Sequence, residues 1–147
     1  MYKLYISFVI LTSVVLLASL AFLLFKRKVR KQSEKSAELH KASIYKYVKQ
    51  NAGKKEFRLT ENQWEALGGA IDQAYDGFTD RIMEQSAVSE LEMHVCYLTK
   101  IEISPTSMAE LLCKSKSAIT MLRSRLYRKL SGREGTAQQF DHWIMEL

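Results

Sequence analysis

The residues best placed to do chemistry lie in the stretch 104–130, SPTSMAELLCKSKSAITMLRSRLYRKL. Read as a helix, its second half turns Ile119, Leu122, Leu126 and Leu130 inward. Ser117, Thr120, Met121, Ser124 and Arg128 then face outward, with Arg125 on one shoulder and Lys116 on the other. Ser117, Thr120, Met121 and Ser124 are the uncharged part of that outward row, and they are candidates for base edges, since hydroxyls can contact several bases and a thioether can touch a thymine methyl. Lys116, Arg123, Arg125 and Arg128 are expected on phosphates, where they set register and salt dependence rather than sequence preference. The chemistry these types suggest is non-covalent recognition of duplex DNA.

Catalytic and metal chemistry find no comparable support. The carboxylate pairs Glu90 with Glu92 and Asp76 with Asp80 belong to an acidic polar face, without apolar walls to raise a pKa. No serine has a histidine partner or a nucleophile-elbow context. His40, His94 and His142 are far apart in sequence and lack the spacing of a metal site, and His94 reads as solvent-facing. Cys96 and Cys113 form no CxxC pair and read as small buried hydrophobes in a reducing compartment. Ser131-Gly132-Arg133-Glu134-Gly135 is a turn rather than a phosphate loop, because no strand precedes it and no Gly-Lys-Ser/Thr follows. We therefore expect a protein that is not an enzyme and takes no cofactor or metal.

Two short helices must position the outward face. Ser104 can cap the first, with Pro105 at its first position, and Met108, Ala109, Leu111 and Leu112 give it an apolar side. Cys113 and Lys114 fall in a turn, and Ser115 can cap the second helix. The expected core of the pair is Ala109, the small residue where the helices cross, with Leu112, the wedge Ile119, Leu122 and Leu126; Ala118 falls on the same apolar spacing.

Three capping boxes mark the supporting helices: Thr60 with Gln63, Ser89 with Glu92, and Thr136 with Gln139. After the first, Trp64, Leu67, Ile71, Ala74, Tyr75 and Phe78 share one face, with Asp76-Gly77 as a kink or division. After the second, Leu91, Val95, Leu98 and Thr99 form an inner stripe. After the third, Phe140, Trp143, Ile144 and Leu147 either close the domain's own core or pair with a second copy; an aromatic stripe is costly to leave wet, which favours closure.

Leu4 to Phe25 contains no charged residue, and at 1.5 Å per residue a helix over it reaches about 33 Å, enough for a bilayer core. A cleaved signal peptide is the alternative, with small residues around Ser19-Leu20-Ala21, but the run continues apolar through Phe22 to Phe25. Lys26, Arg27, Lys28, Arg30 and Lys31 crowd its carboxyl end against Lys3 at the other, which puts the carboxyl side in the cytoplasm. Residues 26–56 then read as a basic, helical linker over Ala37 to Gln50, stopping at Asn51-Ala52-Gly53. The linker's charge either fixes topology and solvates the segment or forms a patch for anionic lipid or DNA. The expected fold is all-α: a transmembrane helix at 4–25, a linker at 26–56 and a helical domain at 57–147.

Charge is segregated along the chain. Residues 26–58 hold 12 Lys or Arg against 3 Asp or Glu, and 59–103 hold 2 against 9. Residues 104–133 hold 7 against 1. A basic island bounded by acidic helices suits a surface of which one face must approach phosphate and the others must not.

The run AELLCKSKSAITMLRSRLYRKL resembles the helix-turn-helix of LuxR-type response regulators and of sigma factor region four. Cys113 stands where many members of that family have Gly or Asn, and Lys114 where an apolar residue usually sits. By that resemblance Thr120, Met121 and Ser124 would meet base edges, and binding as a homodimer, through the final helix or the linker, would be expected. The whole chain is similar to the carboxyl-terminal half of bacterial membrane regulators with tetratricopeptide repeats outside. That likeness rests on Trp64, on Tyr75-Asp76 with Phe78-Thr79-Asp80-Arg81, and on Ser104-Pro105 with Lys116-Ser117-Ala118-Ile119. It implies a single-pass protein of the bacterial inner membrane with its carboxyl-terminal domain in the cytoplasm. No repeat domain precedes the apolar run, so a sensor, if used, is expected on another chain. The competing expectation is a membrane-anchored scaffold that docks a signalling or transcription-machinery partner without reading DNA.

Overall fold

The computed structural model describes the backbone of residues 2–147; the side chains of residues 3–13, 15, 32, 35, 36, 40 and 41 lie outside the described residues. Among the described residues the protein is all-helical: α1 (Tyr2–Lys41), α2 (Ser43–Asn51), α3 (Glu61–Tyr75), α4 (Phe78–Gln85), α5 (Glu90–Lys100), α6 (Pro105–Leu111), α7 (Lys116–Ser131) and α8 (Ala137–Glu146). They fall into two compact units that divide after Ala37.

The first unit is the larger part of α1. Its described apolar side chains, among them Leu16, Leu17, Phe22 and Phe25, are more than half exposed. Among the described residues no helix is long and apolar enough to cross a membrane. The expected span over 4–25 falls in good part outside those residues.

The second unit, Glu38–Leu147, begins well before the expected boundary at 57. Leu39, Val48 and Ala52 are buried in its core, so the later part of the expected linker is domain rather than spacer. An extended Ala42 (ψ 129) separates α1 from α2. The Lys49 ammonium then donates to the carbonyls of Ile101 and Glu102 at 2.9 and 3.3 Å. A cation there satisfies carbonyls at the end of α5 that have no partner within the helix.

All three capping boxes form. Gln63, Glu92 and Gln139 each accept the backbone N–H of the cap residue three positions earlier, at 2.7 to 2.9 Å. Helix α3 buries Leu67, Ile71, Ala74 and Tyr75 and stops where Asp76 (φ 55) and Gly77 (φ 73) turn left-handed. The Asp72 carboxylate accepts the Thr79 N–H at 2.7 Å, so Asp76-Gly77 divides α3 from α4 rather than kinking one helix.

Helix α5 is the centre of the domain, not a support with a single stripe. Every residue from Val95 to Lys100 is buried, because α3, α7 and α8 all pack on it. Lys100 is 2% exposed and is tolerated there because its ammonium donates to the carbonyls of Ile144 and Met145 at 3.1 and 3.2 Å. It thereby closes the carboxyl end of α8, while lying 4.1 Å from the centre of the Tyr75 ring. Cys96 is buried as expected, and burial pushes its thiol up to about 12. Cys113 differs: it is exposed in the turn after α6.

His94 is also not solvent-facing. It is half-buried, stacked on Trp64 with ring centroids 3.8 Å apart and planes at 9°. Burial holds its pKa below the ordinary 6.5, opposed by the nearby Glu90 carboxylate. On acidification the unfolded chain therefore takes up this proton first. The stabilisation is complete above pH 6.5 and is lost as the pH falls from there through the folded pKa. Urea unfolding is expected to show a lower midpoint at about pH 5.5 than at about pH 7.5, above the carboxylate range. A His94→Phe variant, which keeps the stack, should flatten that drop; an unchanged drop would assign it to another group.

Candidate nucleic-acid interface

The α6–turn–α7 unit is built from local signals. Ser104 Oγ accepts the Ser107 N–H at 3.1 Å and Ser115 Oγ accepts the Ala118 N–H at 3.1 Å, so both helices start where their caps stand. Helix α6 ends in a paired closure. The Lys114 N–H reaches the Ala109 carbonyl at 2.8 Å and the Cys113 N–H reaches that of Glu110 at 3.2 Å. This geometry puts Cys113 at φ 54, a left-handed conformation that costs a non-glycine residue roughly 1 kcal/mol. The Arg58 Nε donates to its Sγ at 2.9 Å. Lys114 takes part through its backbone while its side chain stays exposed, so no cation is forced into the core.

Among the expected core residues Ala109, Ile119 and Leu126 are buried. Leu112 and Leu122 are only half-buried, and Met108 and Leu111 fill the interior instead. Leu112 follows the last turn of α6, where the chain already leaves the helix axis. Ala118 is exposed, one step round the helix from the buried Ile119.

Lys116, Ser117, Thr120, Met121, Arg125 and Arg128 lie exposed along α7, with Ser124 half-buried among them. Met121 is 55% exposed, an apolar side chain standing in a polar and basic row. Thr120 Oγ1 donates to the Lys116 carbonyl at 3.0 Å and Ser124 Oγ to that of Thr120 at 3.2 Å. With their protons used within the helix, these hydroxyls face outward as acceptors. Arg128 pairs with Glu134 at 3.2 Å, an exposed contact of small energetic value. The side chains of Lys116 and Arg125 make no hydrogen bond or ion pair among the described residues.

Arg123 is where the structure corrects the sequence reading. It is 4% exposed, its Nε donates to Asp141 Oδ1 at 2.9 Å, and its Nη2 bonds Asp141 Oδ2 and the Ala137 carbonyl. A guanidinium so enclosed ties α7 to α8 and cannot reach a phosphate. Lys129 is likewise engaged, at 2.7 Å from Glu92 at the start of α5. Burial alone would raise the Glu92 pKa, but the bonds from Lys129 and Ser89 outweigh it and hold the carboxyl low.

Lys114 is an exposed cation, outside the expected phosphate set, that stands next to the outward face of α7. It precedes Lys116 at the amino end of α7, where the helix dipole also favours an anion. Its signal was the run Lys114-Ser115-Lys116 itself. Lys114, Lys116 and Arg125 thus offer cations beside Ser117, Thr120 and Met121. Comparison of the chain with protein-family models, with curated proteins and with solved structures gives no match.

Proposed function

We propose that this protein is a membrane-tethered regulator that binds duplex DNA through α7, as its resemblance to LuxR-type helix-turn-helix domains implies. The observation that carries the reading is the division of α7 into two faces. Ile119, Leu126 and Leu130 are buried, while Lys116, Ser117, Thr120, Met121 and Arg125 are exposed in a segment with seven basic residues and one acidic. Lys114, Lys116, Arg125 and Arg128 hold phosphates in this reading, and Ser117, Thr120, Met121 and Ser124 face the bases. Residues 4–25, free of charged side chains, span the bacterial inner membrane, and the cations that follow keep the DNA-binding domain on its cytoplasmic side.

Fluorescence anisotropy of the full chain in detergent micelles, titrated on duplex DNA across about 50 to 200 mM salt, tests it. Lys116→Ala and Arg125→Ala should each weaken binding on all sequences and reduce the salt slope by about 1. Absence of binding even at the lowest salt, with no difference between parent and variants, would sink the reading.

One observation favours the alternative of a protein-docking scaffold: the exposed Met121 at the middle of the face is a side chain that protein partners also use. A stoichiometric protein partner retained through nuclease and high salt, and lost with Met121→Asp, would support that alternative.

A further inference from the structure

A groove of about 450 Å³ opens between α3, α4 and the start of α5. It belongs wholly to the second unit and takes no part in the DNA reading. Trp64 and Met93 give it an apolar floor, Met83 stands at its edge, and Glu61, Glu65 and Glu90 line it. Met83 is more than half exposed, and Glu61 and Glu65 make no ion pair among the described residues. An apolar floor with an anionic rim is matched by a segment that carries cations around one apolar side chain.

The chain contains such a segment. Lys26, Arg27, Lys28, Arg30 and Lys31 surround Val29, which is 53% exposed, and all lie on the helix α1. Val29 shares a helical face with Lys26, three residues earlier, and its sequence neighbours Lys28 and Arg30 flank it about 100° round the helix on either side. Glu34 pairs with Arg30 at 2.8 Å, whereas Arg27, Lys28 and Lys31 have no partner among the described residues.

We propose that the groove receives segment 26–31 of a second copy of this chain, Val29 against the apolar residues and Lys26, Lys28 and Arg30 along the carboxylates. Copies held in one membrane present segment and groove to each other at high effective concentration, so contacts that are individually weak and salt-sensitive suffice. The pairing supplies a dimer without using the apolar stripe of α8, which is spent inside the domain.

Zero-length carbodiimide coupling joins a lysine amine only to a carboxylate in contact with it. It is applied to the full chain in dodecyl maltoside micelles, mixed from nitrogen-14 and nitrogen-15 preparations without DNA, followed by peptide mass analysis. The expected result is isotopically mixed cross-links between the 26–31 lysines and Glu61, Glu65 or Glu90, lost at high salt. Gly69→Tyr should abolish them, since a side chain there enters open space in the groove and meets nothing within 4 Å of its Cβ. Circular dichroism checks that this variant folds. A charge-reversed pair offers a second arm. Chains carrying Glu61→Lys with Glu65→Lys, and chains carrying Lys26→Glu with Lys28→Glu, should each fail to dimerise alone and should pair when mixed. No cross-links, cross-links confined to one isotope, or cross-links indifferent to Gly69→Tyr would overturn the proposal; DNA binding by α7 could survive each of these outcomes.

Discussion

Replacing Asp141 by Ala is expected to cost about 3 kcal/mol or more, read as a lowered urea midpoint by circular dichroism. The side chain is itself 39% exposed, and on that ground alone it would be a mild position. What makes it severe is its partner. Arg123 is enclosed between α7 and α8 and gives its Nε and Nη2 to the two Asp141 oxygens. Without the carboxylate, the guanidinium keeps only the Ala137 carbonyl at 3.4 Å as a bonded partner. A buried and uncompensated cation is the costly outcome. Removing the other partner leaves a carboxylate that water can reach, and a methionine refills the space of the arginine stem. Arg123→Met should therefore cost clearly less than Asp141→Ala, although each variant deletes the same ion pair. Arg123→Met should also leave DNA affinity and salt slope where they were, in contrast to Lys116→Ala. An equal loss for the two partners would show that the ion pair's own attraction dominates, not the stranded charge.

Arg123 also shows how far the sequence alone could be read. It stands four residues after Ile119, three before Leu126 and seven before Leu130, on the inward line of its own helix. Its charge drew the assignment outward, and the residue that reverses it lies on another helix. Features closed within one turn were legible: the three capping boxes, Ser104 with Pro105, and the division at Asp76-Gly77 all form where expected. Features that need a second helix were not. A wheel for α5 cannot show that α8 ends over Lys100, or that the Trp64 ring covers His94. The same holds for the early start of the domain, because Val48 looks like one apolar mark in a charged segment until α3 packs against α2. The outward face of α7 was legible because nothing else in the domain covers Thr120, Met121 or Arg125.

Phe140→Ala is expected to cost about 4 kcal/mol, through lost transfer energy and the cavity left behind. Phe140 and Ile144 are fully buried, and Ala137 beside them is nearly so. They pack α8 onto α7 and α5, and Trp143 and Leu147 lean on the same cluster. Loss of the ring should loosen both ties that α8 makes elsewhere, the Asp141 bonds to Arg123 and the carbonyls held by Lys100. The aromatic stripe of α8 had two readings in the sequence, closure of its own core or pairing with another copy, and protein concentration separates them. If the stripe closes the core, as its burial within one chain implies, the shift in urea midpoint caused by Phe140→Ala is the same at every protein concentration. If a second copy supplied the cover, the parent's midpoint would rise with concentration while the variant's would not. Concentration independence of this shift, together with the salt-sensitive cross-links from segment 26–31, would separate the interior of the domain from the surface by which two copies meet.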